Sequence, residues 1–155
     1  MPDLIEIRTT PPDLFQRMER YPKQLDKEME DTMNDAMILI QGSVPPYPPR
    51  NENSNRTGSL GRTIGSQVVG ATSSKRWDTP EDKVRTVKRL GSGKYEARFG
   101  TRLFYAPKVI GSETQSPLFK ALGWWTMRDV KNKAEPGIVK LFNAMADRLV
   151  KFLGG

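Results

Sequence analysis

The chain predicts an α+β fold, with helices packed on one side of an antiparallel sheet. Three patterns carry this expectation. Leu25, Met29, Met33, Ala36, Met37 and Ile40 recur at steps of three and four, the apolar face of an amphipathic helix. Tyr95, Ala97 and Phe99 alternate with Lys94, Glu96 and Arg98, as in a strand buried on one face. Ile138, Leu141, Phe142, Met145, Leu149 and Phe152 then fall on one side of a C-terminal helix of about four turns.

The elements follow in order. Residues 4–8 read as a short strand. Thr10 fits an N-cap, with Pro11 at the first helical position and Asp13 three residues on. That helix would run to about residue 20 and be stopped or kinked by Pro22. The amphipathic helix spans 22–40, and Gly42 fits the position just past its end. Residues 63–71, 83–90 and 94–101 are strand candidates; the last two form a hairpin around Gly91-Ser92-Gly93, and 78–82 is the loop before it. Residues 104–111 make a compact apolar piece. Trp124 and Trp125 open the last segment, one for the core and the other for a loop or partner. Val130 and Ala134 begin a short helix that Pro136 is expected to break. One domain over 1–155 thus divides into a strand and helical part (1–41), a proline-rich arm and turn (42–62), a hairpin sheet (63–111), and a loop with C-terminal helices (112–155).

Composition excludes several kinds of chemistry. The 155 residues contain neither cysteine nor histidine. Disulfides, thiolate metal sites, cysteine nucleophiles and imidazole bases are therefore impossible within the chain. The start, Met1-Pro2-Asp3-Leu4, lacks the basic-then-apolar pattern of a leader, and no apolar run approaches a membrane span, so the protein is expected to be made in a cytoplasm and to stay there unless carried out inside a particle. The net charge of +7 is uneven: residues 1–41 hold five basic against nine acidic groups, while 75–102 hold nine basic against four acidic. An acidic region and a basic one could attract each other between copies, or the basic part could face nucleic acid.

The stretch Val44-Pro45-Pro46-Tyr47-Pro48-Pro49-Arg50 says most about use. Its four prolines fix φ and remove backbone donors, which favours an extended arm displaying its carbonyls and its tyrosine. Such an arm suits lying on a neighbour.

No motif for catalysis stands out. Gly58-Ser59-Leu60-Gly61-Arg62-Thr63 lacks the spacing and the lysine of a phosphate loop, and Gly91-Ser92-Gly93 lacks the third glycine of a dinucleotide site. Both read as turns. Glu28, Asp31 and Asp35 share a helix face, but a solvated face gives a carboxylate no raised pKa to work with. Lys83, Arg85, Lys88, Arg89, Lys94, Arg98 and Arg102, with Lys75 and Arg76, could track a phosphate backbone. Tyr95 and Phe99, however, belong to the buried face, which argues against a stacking platform. No enzyme activity and no cofactor or metal are expected.

Four stretches together resemble a known family. Pro45-Pro46-Tyr47-Pro48-Pro49-Arg50, then Arg56-Thr57-Gly58-Ser59-Leu60-Gly61-Arg62, then Tyr105-Ala106-Pro107-Lys108-Val109-Ile110-Gly111, then Gly123-Trp124, are similar in order and spacing to the tail-completion proteins of tailed double-stranded-DNA bacteriophages. These are also called neck proteins or minor tail components. Lys108 departs from the family, which often carries a second aromatic there.

The resemblance implies a curled antiparallel sheet and a structural virion subunit of a homo-oligomeric ring, most often a hexamer, at the head–tail junction. Its implied partners are the connector or head-closure protein on one side and the tail terminator or tail tube protein on the other, with DNA passage through the lumen left open and no membrane contact. The expected assembly residues are Pro45, Pro46, Tyr47, Pro48, Pro49, Arg50, Arg56, Thr57, Gly58, Leu60, Gly61, Tyr105, Ala106, Pro107, Val109, Gly111 and Trp124. The Leu25/Met29/Met33 helix is expected to join residues 45–50 in ring contacts. The alternatives are another ring of the same junction, such as the tail terminator, or a small basic DNA-binding protein.

Overall fold

The structure, a computed structural model, describes residues 4–8, 21–47, 58–68, 78–91 and 93–154. Its sheet has three antiparallel strands, β1 (Ile5–Arg8), β2 (Lys83–Gly91) and β3 (Lys94–Thr101), in the order β1-β3-β2. Helix α1 (Pro22–Ser43) packs on the sheet, and α5 (Met127–Phe152) runs beside α1. Three short α-helices, α2 (Ser59–Thr63), α3 (Ala106–Ile110) and α4 (Pro117–Ala121), and a 3-10 turn at Pro80–Asp82 complete the set among the described residues. The α+β class and both flanking helices are as expected. The helix expected to open at Thr10 lies outside the described residues.

The core sits between α1, α5 and the inner face of the sheet. Leu25, Met29, Met33, Met37 and Ile40 are all fully buried there with Ile5, Tyr95, Ala97 and Phe99. The methionine face is therefore spent inside the chain, because unbranched thioethers fill the irregular space between sheet and helix. Any contact this helix makes with another subunit must therefore use its solvent side. Gly42 is also not the stop. The helix runs one residue further, with Ser43 Oγ donating to the Leu39 carbonyl at 2.8 Å. It ends at Val44, φ −70° and ψ 122°, since the residue before a proline is forced out of the helical region.

The hairpin register places charge on both faces of the sheet. Arg85 pairs across with Phe99 and Arg89 with Tyr95, so both arginines stand on the inner side of β2. Arg85 Nη1 donates to Gln41 Oε1 at 2.7 Å, and Arg89 Nε reaches Asp26 Oδ1 at 3.0 Å. They clamp the edge strand onto α1 on either side of Val87. On the outer face, Arg8 lies 2.9 Å from Glu6 and 3.2 Å from Glu96, and Arg98 lies 3.2 Å and 3.0 Å from the same two carboxylates.

Two further expectations are corrected. Of the strand expected over 63–71, the described residues 63–68 form none: Leu60 and Ile64, both fully buried, sit four apart across the α2 turn, and past it only the isolated Tyr47–Val68 bridge is described. Nor does Pro136 break a helix. The run Met127–Phe152 is continuous, opened by a capping box in which Thr126 N–H donates to Asp129 Oδ2 at 2.7 Å. An interior proline costs about 3 kcal/mol, whereas burying an apolar side chain gains about 1.5–3 kcal/mol. Val130 and Ala134 on one side of it, with Met145 and Leu149 on the other, are buried on the same core and outweigh the break. At the next residue, Gly137, α1 comes close: a Cβ there would stand 2.6 Å from Leu39 Cδ1. Arg148 Nε donates to Glu28 Oε2 at 2.8 Å, which sets α5 antiparallel to α1.

Candidate functional site

The root of the proline arm is fastened to its own domain. Tyr47 N–H donates to the Gln67 carbonyl at 2.8 Å, and Ser66 Oγ donates to the Pro45 carbonyl. The Tyr47 side chain is 4% exposed, so the expectation of a displayed tyrosine is wrong. A short peptide beside it supplies the donors and acceptors that a proline-flanked residue cannot find in a helix. Pro45 is half-buried and Pro46 exposed. Pro48, Pro49, Arg50, Arg56 and Thr57 lie outside the described residues.

Helix α2 is shaped to receive this root. Gly58 enters it with φ 74°, a left-handed conformation that other residues adopt only with strain. A Cβ on Gly61 would meet Tyr47 Cβ and Val68 Cγ2, each at 2.9 Å, so only glycine lets the two backbones come this close. The expected Thr-Gly-x-Leu turn is thus a helix start, with Leu60 beneath it in the core.

The other two stretches close on the same place. Tyr47 and Trp124 meet edge to face at 5.7 Å, and Phe119 from α4 lies 4.7 Å from Trp124. Trp124 is the core tryptophan; Trp125 is half-buried, its Nε1 without an acceptor among the described residues. Gln115, which sequence reasoning missed, donates from Nε2 to the carbonyls of Val109 at 2.9 Å and Trp124 at 3.1 Å. Nothing in its polar loop marked it out. Ala106 and Val109 are buried in α3, and Pro107 opens it. At Gly111 a Cβ would fall 2.2 Å from the Pro107 carbonyl oxygen, so the exit from α3 also requires glycine.

Tyr105 joins the cluster from the side. Burial above all pushes its hydroxyl up to about 12, with Tyr47 and Asp78 adding to this, while Arg62 and the Leu60 backbone N–H oppose it. Arg62 in turn holds Asp78 through Nη2 at 2.8 Å and Nε at 3.2 Å, a two-pronged pair with the carboxylate almost fully buried. One string of aromatic contacts runs from Phe104, which is 85% exposed, to Tyr105, and a second from Tyr47 through Trp124 to Phe119. Leu118 and Leu122, four apart on the outer side of α4, are 62% and 52% exposed beside it. The cluster is a scaffold with apolar ends, and its inventory suits packing rather than bond chemistry.

The helix carboxylates and the basic hairpin are used differently from each other. Glu28 is tied to Arg148 and accepts from Gln24, while Asp31 and Asp35 are exposed. The basic residues do not form one surface: Arg85 and Arg89 serve the inner face, Arg98 is matched on the outer one, and Lys75 and Arg76 lie outside the described residues. No group of three or more Asp or Glu able to hold a metal occurs among the described residues. Nor is any described helix long and apolar enough to cross a membrane.

No protein-family model, curated protein or solved structure matches this chain.

Proposed function

We propose that this chain is a non-catalytic virion subunit that forms a homo-oligomeric ring at the head–tail junction of a tailed double-stranded-DNA phage. The ring joins the connector or head-closure protein to the tail terminator or tail tube protein, and the chain is made in the host cytoplasm before it enters the virion. One observation carries the reading. The stretches that resemble the tail-completion family, although up to about eighty residues apart, converge: Tyr47 lies on Gly61 and Trp124, and Tyr105 on Leu60 and Arg62. Convergence of these stretches on one packing cluster is what a common fold would require of them. The exposed Phe104, Leu118 and Leu122 at the ends of that cluster supply apolar surface of the kind that marks protein contacts.

The test is native mass spectrometry of the purified protein, combined with immunogold microscopy of virions. A closed ring of one copy number and label at the neck are expected. A monomer at high concentration together with absence from virions overturns the reading.

A further inference from the structure

Resting on the ring reading above, we propose that neighbouring copies dock face to face, the solvent side of α1 on one against the outer face of the sheet on the next. The contact pairs Asp31 and Asp35 with Lys88 and Lys94, around Ile38 and Thr86. The two surfaces are opposite sides of one molecule. The inner face of the sheet is covered by α1 through Arg85–Gln41 and Arg89–Asp26, so the outer face and the solvent side of α1 point away from each other.

The charges on these surfaces have no use inside the chain. Asp26 and Glu28, the other acids of α1 that face its neighbours, are met by Arg89 and Arg148. Asp31 and Asp35 are exposed and take part in no ion pair among the described residues, as do Lys88 and Lys94. Like charges four apart on a helix weaken it, so the aspartate pair is a small burden on its own chain. Ile38 continues their side of the helix at i+7 from Asp31 and is 59% exposed. Across the molecule, Thr86 and Lys88 stand on the outer side of β2, opposite Arg98 and Glu96. The Glu6, Arg8, Glu96 and Arg98 ion pairs beside them are already balanced. What is left over on the sheet is therefore positive, while on the solvent side of α1 the exposed Glu30, Asp31 and Asp35 outnumber the exposed Lys23 and Lys27 and leave it negative by one charge.

Unlike patches on opposite faces cannot satisfy each other in a two-fold dimer that buries one patch on both copies. They match head to tail, the heterologous contact that makes a ring where the rotation between copies closes and a filament where it does not. Exposed pairs of this kind steer and orient more than they bind, and their reach is about 8 Å at physiological salt.

The experiment measures assembly mass by native mass spectrometry and sedimentation for wild type, Asp31→Lys with Asp35→Lys, Lys88→Glu with Lys94→Glu, and all four changes together. Circular dichroism checks that each variant folds, which exposed positions should allow. Each reversed pair is expected to weaken assembly by roughly tenfold or more, and the combined variant to recover it, since the attraction is restored with its signs exchanged. Wild type that assembles while both reversed pairs assemble equally well overturns this docking and leaves the ring reading standing. A combined variant no better than either reversal also overturns it. Wild type that stays monomeric at high concentration overturns this docking, and the ring reading falls with it when the protein is also absent from virions.

Discussion

The Tyr95 hydroxyl donates to Asp26 Oδ1 at 3.0 Å, and Arg89 Nε reaches that same oxygen at 3.0 Å. A central strand, an edge strand and α1 are thus pinned at one atom. Tyr95→Phe is expected to cost about 1 kcal/mol, since Asp26 keeps its arginine. Asp26→Ala should cost more, because it takes the shared carboxylate away from both Arg89 and the Tyr95 hydroxyl, although the hydroxyl keeps its 3.3 Å bond to the Asp26 carbonyl. Urea denaturation followed by circular dichroism checks the order, and equal losses would count against the shared-acceptor account.

Alkaline pH should weaken the fold through two tyrosines. Burial first, then the Asp26 carboxylate, pushes Tyr95 up to about 12, and burial and Tyr47 do the same for Tyr105. Unfolded tyrosine ionises near 10, so between pH 10 and 12 the folded chain holds protons that the unfolded chain has released. The contribution is whole below pH 10 and is lost as pH rises through about 12. A loss on the order of 1 kcal/mol for each tyrosine is expected, discounted for partial solvation. Tyrosinate absorbance and the denaturation midpoint, followed together through that window, give the check; a flat midpoint refutes it.

Gly61→Ala should act on the arm root rather than on the sheet. The new methyl group would collide with Tyr47 Cβ and Val68 Cγ2 at 2.9 Å, and overpacking of this kind costs about 1–3 kcal/mol. Tyr47→Ala on its own opens a cavity beside Trp124 and is also destabilising. Tyr47→Ala keeps the Cβ but removes the Cδ1 that a Gly61 methyl would meet at 3.0 Å, so together the two changes should cost somewhat less than their sum. Tryptophan fluorescence reports the Trp124 environment, and strict additivity would show that Gly61 and Tyr47 are not in contact.

Pro136→Ala should stabilise the chain. Pro136 is exposed, and it denies the Asn132 carbonyl its helical donor. A gain of about 1–3 kcal/mol is expected, less whatever bend the Gly137–Leu39 approach relies on. Thermal unfolding decides it. A loss instead would mean that the proline sets the angle at which α5 meets α1.

Much of this fold was legible because periodicity reports burial directly. The α1 methionines and the Tyr95–Ala97–Phe99 alternation identified their partners correctly, each pattern being the imprint of one buried face. What failed were signals that depend on the rest of the molecule. Pro136 reads as a breaker until Val130, Ala134, Met145 and Leu149 are seen on one core, although Thr126 and Asp129 did carry the signature of a capped start. Tyr47 reads as exposed because four prolines surround it, and nothing local announces that Gly61 has made room for its ring. The Arg62–Asp78 pair spans sixteen positions and has no periodic trace at all.

That last pair has a practical consequence. It brings together the two ends of a span of chain, so the polypeptide re-enters the sheet from the same point whatever lies between. Doubling the span adds only about 0.6 kcal/mol of closure entropy. An epitope or fluorophore spliced between positions 69 and 77 would therefore be carried by a domain that still closes on itself, giving microscopy a handle.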